Sequence, residues 1–329
     1  PLRKLNRLIA LVALKNFDIR KNIALNQLFI LNNKKNRLSI NDLGYLIGPI
    51  LNAGGRLGKS NFASELLSSN DEKQANIKSI ELIKLNNNRK KIEALVLEEI
   101  DFKKIDKENK DIIIYYNPSI NEGLIGIIAA RLKEHFNKPS IVITSSNALL
   151  KGSARSVFNY NIGKAIKSSL DMNIIINGGG HNAAAGFTLD KSNLKNFEDF
   201  ILKDFLNSGS LRDNNYFYDA EVSSLAFNQD FYSEIKKLEP FGTGNSPPTF
   251  LLRDLKVIKS TILNDKHVSV ILKSKLGFSI KSISFNSVNN KIGEHLLNYK
   301  NTLNVLGQIS ENIWNNKKTL QLTIRDVII

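Results

Sequence analysis

The 329 residues contain no cysteine, which excludes disulfides and thiolate metal sites and is compatible with a reducing cytoplasm. No apolar run approaches the roughly eighteen residues of a membrane span, and 42% apolar content fits a globular chain with real cores. The N-terminal stretch PLRKLNRLIALVALKNFDIRK is basic and apolar, but it lacks a small-residue cleavage site and Lys15 interrupts it, so it does not read as a signal peptide. Also missing are D-x-D, D-H-H, H-x-H and H-E-x-x-H clusters, so local motifs assemble no metal site. Neither a G-x-S-x-G elbow nor a Walker A loop occurs.

What is abundant is positive charge. The formal net charge is +15, and residues 1–60 hold eleven Lys/Arg against two Asp, whereas 71–110 are nearly balanced. Localised excess of this kind favours a polyanionic partner, nucleic acid first, because each cation near a phosphate releases counterions. A Lys- and Asn-rich composition from genome base bias is the bland alternative.

At this length two or three domains are expected. Residues 1–70 read as helices with a Gly-rich turn at GPILNAGGRLGKS, and 71–104 as one long or two abutting solvent-exposed helices that join domains. From 105 to 210 strand and helix signals alternate: DIIIYY, then EGLIGIIAARLKEHF with Glu122 at the positive end of its helix, PSIVITSS, NIGKAIKSS, GFTL and KSNLKNFEDFILKDFL. That is an α/β domain. Beyond a turn-rich linker, NSGSLRDNN, residues 211–329 show five or six short alternating strands, which suits a small closed OB-like barrel.

Three stretches could carry chemistry. Gly178, Gly179, Gly180 and His181 lie between an apolar run and small residues; they could form a bare turn, or a cradle whose backbone N–H groups and His181 ring meet a phosphate. In KGSARSV, Ser153 and Arg155 are two apart and so share one face of an extended strand, a plausible phosphate contact or an ordinary exposed strand. GPILNAGGRLGKS joins Asn52, Arg56 and Lys59 to glycines, again suited to a backbone phosphate. The cluster LEPFGTGNSPPTF reads as a rigid lead-in to a barrel strand more than as a base-stacking surface. Residues 256–281 carry six Lys against one Asp, enough to line a groove along a sugar-phosphate backbone or merely a solvated face.

In order along the chain, GPILNAGGRLG (48–58), EGLIGIIAARLKEHFNKPSIVI (122–143), KGSARS (151–156) with GGGHNAAAGFTL (178–189), and LEPFGTGNSPPTF (238–250) resemble the RecJ family of single-stranded-DNA-specific exonucleases, within the DHH phosphoesterase superfamily. The resemblance implies a DHH-associated domain at 105–210, an OB domain at 211–329, and a remnant of the DHH domain at 1–70. It implies 5′→3′ phosphodiester hydrolysis in repair and recombination, with Mn²⁺ or Mg²⁺ held by Asp and His residues expected upstream of Pro1 and none in this chain. It places Gly178, Gly179, Gly180, His181, Ser153 and Arg155 on DNA phosphate near the scissile bond, with His181 assisting the metal site, and Asn52 and Arg56 across the cleft. Partners implied are single-stranded DNA and either a separately encoded DHH half or a single-strand-binding protein. Two departures stand out: Ile50 where the family carries Arg, and Asn121 where it carries His. A non-catalytic single-strand-binding subunit and a small-nucleotide phosphodiesterase acting on nanoRNA or cyclic dinucleotides are the alternatives; the barrel-like segment counts against the latter.

Overall fold

The computed structural model describes residues 1–34, 38–157, 159–209, 217–288, 290–298, 302–314 and 317–328, the side chains at 313, 314 and 317 excepted. Two compact units are present: Asp18–Asn214, and Pro1–Phe17 together with Asn215–Ile329. The boundary expected at 210–211 lies outside the described residues.

In the first unit, Asn22 caps the helix Ile23–Leu31 by accepting from the Leu25 N–H at 2.9 Å. A short π-helical stretch, Leu43–Ile47, runs straight into the helix Gly48–Arg56. A turn was expected there. Pro49 instead sits in the first helical turn, where its missing N–H costs nothing, so the Gly-Pro pair starts the helix rather than breaking it. Ile50, the departure from the family's Arg, is buried with Leu28, Ile47, Leu66 and Leu82.

The helix Glu72–Glu99 begins at Asp71, whose carboxylate accepts from the Gln74 N–H, and its 28 residues contain neither Gly nor Pro to stop it. Ala75, Ser79, Leu82 and Asn86 form one buried stripe at spacings of four, three and four. The helix is not the solvent-exposed connector that its polar centre suggests. Its first half packs against Leu28 and Leu66, while Ile92, Val96 and Leu97 pack against a second cluster around Leu124, Ile128, Leu132 and Val142. Each leucine buried in this way contributes about 1.5–3 kcal/mol. Within the second half, buried Glu93 accepts from Arg89 at 3.0 Å and Arg131 at 2.8 Å, which compensates its desolvation.

Strands β1 (Ile113–Tyr116), β2 (Ser140–Ser146), β3 (Leu149–Arg155), β4 (Asn177–His181) and β5 (Ala184–Leu189) form a sheet in the order β1-β2-β3-β5-β4. The β1–β2 pair is parallel and the others are antiparallel. One face is closed by the helices Ile162–Asp171 and Leu194–Asn207 over Ile141, Leu150, Ala154, Phe187 and Leu189. On the other face the helix Ile125–Phe136 covers β1, β2 and the near side of β3, leaving β5 and β4 without a covering helix. This helix starts at Ile125, so Glu122 lies outside its first turn and pairs with Lys151 instead.

The second unit is a five-stranded closed barrel. Strands β7 (Phe250–Leu263), β8 (His267–Lys273) and β9 (Ser279–Ser284) form a meander; β9 pairs in parallel with β11 (Lys317–Ile328), β11 with β10 (Thr302–Trp314), and β10 closes the ring on β7. The sixth expected strand is reduced to β6, Ala220–Glu221, beside β7. Inward Val257, Val268, Val270, Leu272, Ile280, Leu303, Val305 and Leu322 fill the interior, and Leu296 of the helix Lys291–Leu297 joins them.

The LEPFGTGNSPPTF stretch forms a locked loop: the Asn245 side chain donates to the Leu238 carbonyl at 2.9 Å and to that of Pro240 at 3.0 Å. Phe241 and Phe250 pack on the barrel core, as a rigid lead-in requires. The sequence gives no hint of a second contact. The first helix, Lys4–Asn16, brings Arg3 and Arg7 to this loop, with Arg7 donating to the carbonyls of Lys237 and Glu239 at 3.0 and 2.8 Å and Arg3 to Gly244 at 2.9 Å. Gly244 has φ +84° and no room for a Cβ beside Pro1, so only glycine serves there.

Candidate nucleic-acid interface

The uncovered sheet face follows from strand alternation. Leu150, Gly152 and Ala154 of β3 turn to the core, so Lys151, Ser153 and Arg155 turn the other way. Register then builds three rows across β3, β5 and β4: Lys151–Thr188–Asn177, Ser153–Gly186–Gly179 and Arg155–Ala184–His181. Successive rows are about 7 Å apart and Arg155 and His181 about 10 Å, two strand spacings.

The glycine run is neither a turn nor a loop cradle. It is an extended edge strand, and the turn belongs to Asn182 and Ala183. The three glycines differ in what they face. A Cβ on Gly178 would meet Ile175, Ile166 and Phe187, one on Gly180 would overlap the Ala184 carbonyl and Ala185, and one on Gly179 would meet nothing within 4 Å. Gly178 and Gly180 therefore permit packing, while Gly179 opens the site face. His181 is exposed, and its Nδ1 accepts from the Ala183 N–H at 3.2 Å, which leaves Nε2 as the ring's donor.

Cations gather at the Arg155 end. Arg155 Nη1 donates to Ser153 Oγ at 3.0 Å and to the Ala154 carbonyl at 2.8 Å. The helix Ile125–Phe136 starts directly above: a Cβ on Gly126 would lie 2.7 Å from Arg155 Nη2 and 3.1 Å from Ser153 Oγ. Arg56, at the end of its helix, donates to the Gly123 carbonyl at 3.0 Å. Asn121, the second departure, turns that loop by accepting from the Gly123 N–H at 2.8 Å. Burial and then the neighbouring Arg89 press the Arg56 guanidinium below its usual pKa; burial and then Arg56 do the same to Arg155. Among the described residues neither arginine has a carboxylate partner within ion-pair distance. Arg56 thus presses on Arg155, and only Arg56 is drawn by a carboxylate, Glu93, at longer range, an arrangement that suits an anionic ligand. Asn52 is exposed one helical turn before Arg56, with no side-chain hydrogen bond among the described residues.

Sequence reading did not single out Lys151, Thr188 or Asn177 as site residues, although the alternation in KGSARS puts Lys151 on the same face as Ser153. Glu122 meets Lys151 at this edge; its Oε2 accepts from Lys151 Nζ at 2.7 Å and Ser146 Oγ at 2.8 Å, and those bonds hold its carboxyl below the usual range. No group of three or more His, Asp and Glu able to hold a metal ion occurs among the described residues. No helix among them is long and apolar enough to cross a membrane. On the barrel, Lys259, Ile271 and Lys281 form an outer row across β7, β8 and β9, whereas Lys275 is paired with Asp254 at 2.8 Å.

Two family profiles match: the DHHA1 domain over residues 109–207, which spans the five-stranded sheet and its helices, and the RecJ OB domain over 218–326, which spans the barrel. The chain is a RecJ-family DHHA1–OB segment. It is 30% identical to the single-stranded-DNA-specific exonuclease RecJ of Haemophilus influenzae over 87% of this chain and 52% of that protein. The RecJ of Bacillus subtilis is 26% identical over 100% of the chain and 42% of its own length. The chain thus spans about half the length of the curated relatives it matches. In fold, it superposes on the Thermus thermophilus RecJ crystallised with Mn²⁺ at a TM-score of 0.81 and 23% identity, covering 100% of this chain and 47% of that one. A second Thermus RecJ structure holds Mg²⁺. In this RecJ-type segment the bare sheet face belongs to the DHHA1 domain, and the Lys259–Ile271–Lys281 row to the OB domain.

Proposed function

We propose that this chain is part of a single-stranded-DNA-specific 5′→3′ exonuclease of DNA repair and recombination, in which it binds the strand and holds its phosphates. The observation that carries this reading is the Ser153/Arg155/His181 face with Arg56 near it: Arg155 bonded to Ser153, His181 in register with Arg155, a second guanidinium close enough to press on the first without an ion-pair partner of its own, and exposed backbone at Gly179 that lets a phosphate approach. Arg155, Ser153 and Arg56 bind phosphate oxygens, Nε2 of His181 donates to the same group and assists proton transfer at the scissile bond, and Asn52 lines the approach. The exposed barrel lysines supply a second, sequence-independent contact.

The RecJ relatives' names and the metals in the Thermus structures support the wider assignment. The residues on this face do not themselves fit a divalent metal, since Glu122 is engaged by Lys151 and Ser146 and no group of three or more metal-ligating side chains occurs among the described residues. The catalytic Mn²⁺ or Mg²⁺ is assigned to residues other than these. Titration of the 329-residue chain with oligothymidylate at several salt concentrations tests the reading. The expected result is binding whose log K falls by about 0.7 per phosphate contact with log salt, weakened in His181→Ala and Arg56→Ala. Salt-independent binding, or Mn²⁺-dependent release of mononucleotides by this chain alone, overturns it.

A further inference from the structure

Three helices around the cation site meet near a single buried carboxylate. Glu93, on the helix Glu72–Glu99, is 7% exposed, and both its oxygens are taken: Oε2 accepts from Arg89 Nη1 at 3.0 Å, and Oε1 from Arg131 Nε on the helix Ile125–Phe136 at 2.8 Å. Arg89 is held in turn by Asn86, whose side-chain oxygen accepts from Arg89 Nε at 3.2 Å. The third helix, Gly48–Arg56, reaches the group through its last residue. The Arg56 guanidinium is repelled by Arg89 and drawn toward Glu93, and it donates to the Gly123 carbonyl at 3.0 Å. Gly123 lies so close that a Cβ on it would overlap the Arg56 carbonyl.

These contacts fix the helix Ile125–Phe136 at two points, Arg131 from the Glu93 side and the loop before Ile125 from the Arg56 side. The start of that helix is the roof of the phosphate face, since a Cβ on Gly126 would lie 2.7 Å from Arg155 Nη2. About 8 Å of helix separates Gly126 from Arg131. Arg56, Arg89 and Arg131 thus all draw on one carboxylate, and Arg155 adjoins Arg56. Like charges gathered this closely repel, so without the negative centre Arg56 and Arg89 would move apart.

We propose that Glu93 is a positioning residue for phosphate binding, resting on the reading that Arg56 and Arg155 hold DNA phosphate. Buried as it is, Glu93 meets no ligand itself. By pairing Arg89 and Arg131 it keeps Arg56 beside Arg155 and keeps the start of the helix Ile125–Phe136 seated over Ser153. Its charge alone would repel a phosphate, so what it contributes to binding is geometry.

Oligothymidylate affinity of the 329-residue chain at constant salt, measured across a double-mutant cycle of Glu93→Gln and Arg56→Ala, tests this. Glu93→Gln should weaken binding about tenfold, the equivalent of about 1.4 kcal/mol, although it removes a negative charge. In the Arg56→Ala background the same change should cost no more than about twofold, because the residue it acts through is already gone. Unchanged or tighter binding by Glu93→Gln, or a loss that persists in full without Arg56, refutes the positioning role while leaving the phosphate reading intact. Should Glu93→Gln not fold, Arg131→Gln opens the same clamp from its half-exposed side. It should weaken binding only while Arg56 is present, and a loss independent of Arg56 refutes the role. Arg56→Ala that by itself leaves affinity unchanged removes the phosphate reading of Arg56, and the role of Glu93 with it.

Discussion

Arg155→Ala separates the proposed phosphate contact from the part the residue plays in the fold. In the folded chain the guanidinium makes two hydrogen bonds, to Ser153 Oγ and the Ala154 carbonyl, each contributing about 1 kcal/mol net. Against them stand its own desolvation and the like charge of Arg56, both of which press its pKa down. Because these oppose the two bonds, the net loss should not exceed the bonds' sum of about 2 kcal/mol, so the melting midpoint should move by no more than about 4–8 °C for a chain with domains of this size. A charge-assisted bond to phosphate is worth about 1.5–3 kcal/mol, or a tenfold to roughly 150-fold loss of affinity. Fluorescence anisotropy with oligothymidylate across a salt series, run beside thermal melts, reads both quantities. The salt slope should also flatten by about 0.7. A twofold or smaller affinity change, or a melting loss as large as that of a core truncation, would show that Arg155 is a structural residue.

Two further outcomes follow from the same geometry. Gly180→Ala should destabilise the sheet edge by about 1–3 kcal/mol, since its Cβ overlaps the Ala184 carbonyl, whereas Gly179→Ala should melt at or slightly above the parent temperature; equal behaviour of the pair in thermal melts would contradict the assigned faces. His135 is wedged against Phe102 and Phe136, with ring centroids at 4.6 and 4.7 Å; burial lowers its pKa despite the opposing pull of Asp106. Because the unfolded chain then takes up the proton first, stability should fall as pH drops below about 6.5, and His135→Phe should flatten that slope in urea titrations at pH 7.5 and 5.5, with no difference in slope counting against it.

Much of the architecture was legible because it rests on local periodicity. Val268, Val270 and Leu272 alternate with Ser269 and Ile271, so the barrel strand shows itself. KGSARS alternates just as clearly, which is why Ser153 and Arg155 could be put on one face. The glycine run was less readable. An edge strand of glycines has no alternation, and the turn after it, Asn182–Ala183, lacks the glycine that marks a two-residue hairpin. The sidedness of Gly178, Gly179 and Gly180 emerges only from the register with β5. The long helix misled for a different reason: its buried Asn86 and Glu93 look like solvent-facing residues until Arg89 and Arg131 are seen to close over the carboxylate. Contacts such as Arg7 to the Lys237–Glu239 carbonyls join residues some 230 positions apart and leave no local trace.

The exposed edge of β4 also bears on how the protein behaves in a crowded cell. A strand with one unpaired side is a template for joining another chain, and proteins usually blunt such edges with charges, proline or a bulge. Here the three glycines offer no side chains for an incoming strand to pack against and have the poorest intrinsic preference for sheet. Gly179, which opens the sheet face, and Gly178 and Gly180, which permit packing, thereby also leave the edge a poor template for a second copy. A bulkier residue at Gly179 would both fill the open face and give an incoming strand something to pack against, so the two effects are joined at that one position.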